Sequence, residues 1–205
     1  LTRDSEAKDR FIQEAQAASA LDHSNICTVY EINETDDGRM FISMACYTGE
    51  TLQRRIEKGP IPVDEALGLA AQIARGLSKA HAGGIVHRDI KPANIFFTED
   101  NEINIFYFGL AKLSGQIRLT KAGTTVGTAA YMAPEQTTGE DIDHRADIWS
   151  LGVVLYEMLT GALPFAGEHE QAVMYSILNK EPEPLRSRRR GPANWSDRQF
   201  PRSPE

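Results

Sequence analysis

His87-Arg88-Asp89-Ile90-Lys91-Pro92-Ala93-Asn94 sets a carboxylate, an ammonium and a carboxamide close together, between two apolar segments. The Asp89 carboxylate can take a proton from a hydroxyl. Lys91 can neutralise a phosphoryl oxygen, and Asn94 can offer a hard oxygen to a divalent cation. Moving a phosphoryl group is governed by positioning and charge neutralisation, and these three side chains supply both. A lone Asp in a loop is more often a turn residue. The neighbours at this spacing favour the chemical reading.

On these residues the chain resembles a eukaryotic-type serine/threonine protein kinase, of the sort also found in bacteria. The resemblance implies ATP with Mg²⁺ as cofactors and protein Ser or Thr hydroxyls as substrates. It makes Asp89 the base, Lys91 the partner of the γ-phosphate, and Asn94 a metal ligand. His87 reads as a packed, satisfied core histidine. Asp147, surrounded by apolar residues, is expected to be buried, where an uncompensated carboxylate is costly. The resemblance gives it backbone N–H groups of the catalytic loop to accept.

The next motif departs from the family. Kinases carry Asp-Phe-Gly a short way downstream, and its Asp holds a metal ion. Here the stretch reads Ile105-Phe106-Tyr107-Phe108-Gly109. A phenol with pKa near ~10 is a poor Mg²⁺ ligand at neutral pH. Three readings stand side by side: a pseudokinase-type interaction module, a damaged gene copy, and a single-base sequence error. The chain as written is expected to bind Mg²⁺ and ATP weakly and to be an impaired kinase.

Upstream, Phe11, Ile12, Ala15 and Ala18 recur at helical spacing over residues 5–20. The resemblance makes Glu14 the family's helix glutamate, where composition alone would read a solvated surface residue. Residues 26–32 and 40–46 are β-rich runs around a turn at 34–38. By resemblance Met44 is the gatekeeper, residues 45–47 are the hinge whose backbone meets adenine, and Phe96 lies under the adenine ring. The family usually has an acidic residue where Ala45 stands. The resemblance thus places Met44, Ala45, Tyr47, Phe96 and Glu14 around the nucleotide.

Further along, residues 51–58 read as a short helix. A longer helix opens at Val63 with Asp64 as its cap, its stripe formed by Leu67, Ala70, Ile73, Ala74, Leu77 and Ala80. Gly83-Gly84 stops it. Residues 95–97 and 103–106 look like a small hairpin. Residues 110–134 lack periodicity and match an activation segment. An apolar helix runs from Asp147 to about Thr160, buried on nearly all sides, and another covers 168–180. Arg88 beside the base implies control by phosphorylation, since its guanidinium needs an anion. Thr120, Thr124 and Thr125 are the candidates to supply it. Thr128 is expected to bond Asp89 and Lys91 and to shape the substrate site.

The chain has 205 residues, 41% apolar, with a net charge of −7. That balance excludes nucleic acid as the main partner. The charge is uneven: six Arg against Asp197 and Glu205 make residues 186–205 net +4, leaving −11 on residues 1–185. No apolar run approaches the ~20 residues of a membrane span. No secretion signal opens the chain, and two free thiols suit a reducing compartment, so a cytoplasmic location is expected.

The expected fold is α+β and protein-kinase-like: a partial N-lobe at 1–46, a mostly helical C-lobe at 47–185, and an irregular basic tail at 186–205. The tail reads either as a shifted reading frame or as a disordered segment. The family's Gly-rich loop and N-lobe Lys belong upstream of Leu1, so the chain is expected to be a piece of a longer product.

Overall fold

The computed structural model describes residues 21–35, 40–106 and 126–188, with the backbone alone at Met40, Val126 and Gly127. The helix expected over 5–20, with Glu14, lies outside them. So do Tyr107, Thr120, Thr124, Thr125 and the tail from 189 onward.

Alternating β-branched and aromatic residues make the first hairpin. Strand β1 (Val29–Glu34) pairs antiparallel with β2 (Met40–Met44), Ile32 opposite Ile42 and Val29 opposite Met44. The register shifts between Val29 and Glu31, leaving Tyr30 69% exposed. Both strands are shorter than the β-rich runs. Residue 26 instead makes an isolated parallel bridge to Ile105, and Cys27 donates to the Ile105 carbonyl at 2.9 Å. That bond ties the hairpin to the second sheet.

The second sheet has the order β3-β4-β5, all antiparallel: Gly49–Thr51, Ile95–Thr98 and Ile103–Ile105. Gly49 is required where it stands. Its φ is 141°, and a Cβ there would lie 2.2 Å from the Phe97 carbonyl oxygen. Helix α1 (Leu52–Glu57) follows at once, capped by Thr51 Oγ1, which accepts from the Arg54 N–H at 3.3 Å.

Helix α2 (Val63–Ala82) runs against α5 (Arg145–Thr160). Two expectations about α2 are corrected. Its cap position is Pro62, so Asp64 lies inside the first turn, where its charge suits the helix dipole. Its buried stripe is Ala66, Leu69, Ile73, Gly76, Leu77 and Ala80, while Leu67 is 50% exposed and Ala74 is exposed. The stripe turns because Gly76 is the point of closest approach to Asn25 and Ile105.

Helix α5 buries Val154, Met158 and Leu159 in the main core, with Leu52, Ile73, Ile90, Ile95 and Ile103. It ends at Gly161, whose φ of 70° gives a left-handed stop. One flank is open, since Ile148 is 57% exposed; burial on nearly all sides does not hold. A satellite cluster joins Phe165, Ala129 and Ala130 to Val173 and Ile177 of α6 (Glu170–Asn179), with Trp149 stacked on Phe165 at 5.8 Å. Short helices α3 (Val126–Ala129), α4 (Pro134–Thr138) and α7 (Leu185–Arg188) complete the described chain. The start of the tail is therefore one helical turn.

Cys27 is buried and Cys46 exposed, both free. Burial pushes the Cys27 thiol up to about 11, against weaker pulls from Tyr47 and the Ala45 backbone.

Candidate active site

The catalytic loop hangs from Asp147. This carboxylate is fully buried and accepts the His87 N–H at 2.8 Å, the Arg88 N–H at 2.7 Å and His81 Nε2 at 2.7 Å. Three donors compensate its desolvation, as the sequence implied. Arg88 takes φ 66°, a left-handed conformation that a non-glycine residue holds only when its surroundings impose it. His87 is fully buried, with Nε2 at 2.8 Å from the Phe106 carbonyl and Nδ1 accepting the Asp89 N–H at 3.2 Å. Desolvation lowers its pKa, against the opposing pull of Asp147. A neutral scaffold histidine is what results.

Asp89, Lys91 and Asn94 come together. Lys91 Nζ reaches Asp89 Oδ2 at 2.8 Å and Oδ1 at 3.0 Å. Asn94 Nδ2 donates to Asp89 Oδ2 and to the Asp89 carbonyl, both at 2.8 Å. Because both of those partners are acceptors, the amide orientation is fixed and the Asn94 oxygen faces away from Asp89. A 3₁₀ turn (Pro92–Asn94), which starts with proline, brings Asn94 back over Asp89.

Lys91 and Thr128 line one cavity of about 550 Å³ with Tyr131 and Glu157. The expected bonds from Thr128 to Asp89 and Lys91 are not formed among the described residues. Lys91 instead gives its hydrogen bonds to Asp89, and the Thr128 carbonyl accepts the Tyr131 N–H at 3.4 Å. The Tyr131 hydroxyl donates to Glu157 Oε2 at 2.6 Å. Desolvation raises the Glu157 carboxyl above its ordinary value, and that hydrogen bond only partly offsets it.

Met44 ends β2, and residues 45–48 lead to β3. The Ala45 N–H is spent on the Thr28 carbonyl at 2.9 Å. The Tyr47 amide has no hydrogen-bond partner among the described residues. Beside it the rings of Tyr47, Phe96 and Phe106 meet at centroid distances of 5.8 to 6.5 Å, two of the three pairs edge to face. An open amide beside an aromatic floor fits a flat heteroaromatic ring. The packing of Tyr47 and Phe106 on Phe96 was not foreseen from the sequence.

The metal fits less well. Among the described residues no group of three His, Cys, Asp or Glu could hold an ion. The hard donors on hand are the Asn94 amide oxygen and an Asp89 carboxylate already engaged by Lys91. Mg²⁺ prefers anionic oxygen, and Tyr107 brings a phenol instead. The described residues do not by themselves make up a Mg²⁺ site. The nearby Arg88 Nε is buried and unpaired among the described residues.

Comparison with known proteins agrees with this geometry. The family model of the protein kinase domain matches residues 1–200, and the chain belongs to that family. Among curated proteins it is 38% identical to the serine/threonine-protein kinase PknB of Mycobacterium leprae, over 93% of this chain and 32% of that protein. It is 35% identical to the serine/threonine-protein kinase pkn3 of Myxococcus xanthus, over 92% and 36%. With the PknA kinase of Corynebacterium glutamicum the identity is 40%, over 85% and 38%. The chain thus spans about a third of these relatives' length. No helix among the described residues is long and apolar enough to cross a membrane.

Proposed function

We propose that this domain is built to transfer a phosphoryl group from ATP to Ser or Thr of proteins, and that Tyr107 impairs it. The observation that carries the reading is the assembly of Asp89, Lys91 and Asn94 on a loop pinned by buried Asp147. Asp89 accepts the substrate hydroxyl proton as its oxygen attacks the γ-phosphorus and ADP departs. Lys91 leaves Asp89 for the phosphoryl oxygens as negative charge gathers there. The backbone at 45–47 and the Phe96 floor hold the base. Arg88, with its unpaired Nε, receives a phosphothreonine at Thr120, Thr124 or Thr125. When bound, a metal would add neutralisation of phosphate charge.

A non-catalytic interaction module is the second reading, favoured by Tyr107 and by Lys91 occupying both Asp89 oxygens. Losing a metal's several kcal/mol of charge stabilisation means about a thousandfold or more in rate. No autophosphorylation is therefore expected from the chain as written. Labelled phosphate incorporation that Asp89→Asn abolishes would contradict this. In a domain completed with the family's Gly-rich loop, N-lobe Lys and terminal helices, Tyr107→Asp is expected to bring Mg²⁺-dependent ATP binding and transfer to Ser/Thr peptides. If it brings neither, the interaction-module reading replaces the first.

A further inference from the structure

We propose that Gln136 is a positioning residue for Asp89, an inference that rests on Asp89 acting as the base. Gln136 sits in α4, outside the catalytic loop, yet its Nε2 donates to the Arg88 carbonyl at 2.9 Å. Its Oε1 accepts the Ala133 N–H at 2.8 Å. The orientation of this amide is forced, because an N–H faces one end and a carbonyl the other.

The peptide joining Arg88 to Asp89 needs such a hold. Arg88 carries left-handed φ without being glycine, and strain of this kind persists only where neighbours over-determine it. Asp147 fixes the Arg88 N–H at 2.7 Å. On the Asp89 side, the peptide N–H has only a 3.2 Å bond to His87 Nδ1, so the Gln136 bond to its carbonyl is the shorter restraint. With both ends fixed, the direction in which the Asp89 side chain leaves the backbone is fixed too. Gln136 belongs to the segment that follows Thr128 and Tyr131, both of which line the cavity beside Lys91. Its amide therefore couples the seating of that segment to the aim of the base.

Two variants of similar size separate this role from simple helix capping. Gln136→Met loses both bonds. Gln136→Glu keeps the acceptor for Ala133 and loses the donor to Arg88. In the full chain, amide exchange over residues 87–89 is expected to rise about tenfold in both, the size of one lost hydrogen bond, while α2 is unchanged. In the completed Tyr107→Asp domain, kcat is expected to fall about tenfold in both, with KM for ATP within about twofold. Wild-type exchange and kcat in Gln136→Glu would overturn the proposal and leave Gln136 as a cap. Gln136→Glu decides alone if Gln136→Met fails to fold. Should Tyr107→Asp show no transfer, the proposed function fails, and exchange still judges the Gln136 restraint.

Discussion

Glu157 shows at the scale of one residue how a carboxylate can cost the fold stability. Its carboxyl is raised by desolvation, so the folded chain binds that proton more tightly than the unfolded chain does. Stability therefore falls as pH rises from the ordinary value of 4.5 through the raised folded value, and stays lower above it. Tyr131 remains a protonated donor throughout, its own pKa raised mainly by burial. Glu157→Gln keeps an acceptor for the Tyr131 hydroxyl and removes the ionisation. The variant's Tm, measured beside wild type from pH 4 to 8, is expected to gain on it as pH rises. Each kcal/mol is worth about 2–4 °C at this chain length. A difference that stays flat, or shrinks upward in pH, would remove desolvation of Glu157 as the cause.

Elements meet tightly where α2 passes the segment leading into β1. A Cβ on Gly76 would stand 2.9 Å from Ile105 Cδ1 and 3.1 Å from the Asn25 carbonyl oxygen. The Ile105 methyl can give way; the carbonyl cannot, because Asn25 is anchored to Ile103 through its side chain and to the Ile105 N–H through its backbone. Gly76→Val is expected to cost about 2 kcal/mol, an overpacking penalty set against glycine's poor helix propensity. Urea unfolding would measure it, and a variant as stable as wild type would show that this contact has slack. The same place explains what the sequence pattern could not reveal. Counting apolar side chains put Leu67 and Ala74 on the inner face of α2, whereas the tightest packing falls on a residue without a side chain. The C-terminal end of α5 was readable, because Gly161 is a stop signal in its own right, while the helix starts at Arg145, two residues before the expected Asp147.

For the whole molecule, the site was readable in proportion to how local it is. Asp89, Lys91 and Asn94 lie within one loop, so their assembly followed from their spacing. The cost of burying Asp147 said only that it needs partners, and the family resemblance supplied the loop N–H groups. Thr128 and Gln136 reach the loop from a distant segment, and no spacing rule links 128 or 136 to 88. The expected Thr128 bonds failed, and the Gln136 bond went unseen, for that one reason. Surface follows a similar logic. Tyr30 and Phe41 are exposed on a two-stranded hairpin, and Tyr175 and Leu178 on α6. Two-stranded hairpins are marginal alone, and exposed apolar patches associate. Light scattering after size exclusion is expected to show self-association; a monodisperse monomer with a cooperative melt would contradict it.

The two thiols differ in kind, and that difference makes the hinge chemically addressable. Cys27 is enclosed and stays protonated, while Cys46 stands exposed one residue before Tyr47. A maleimide dye should therefore couple once in the folded chain and twice in urea, as mass spectrometry would count. Two rapid additions without denaturant would mean that Cys27 is not enclosed. A single fluorophore at Cys46 would sit beside the open Tyr47 amide, so its colour or brightness is expected to change when ATP is added if the nucleotide docks there.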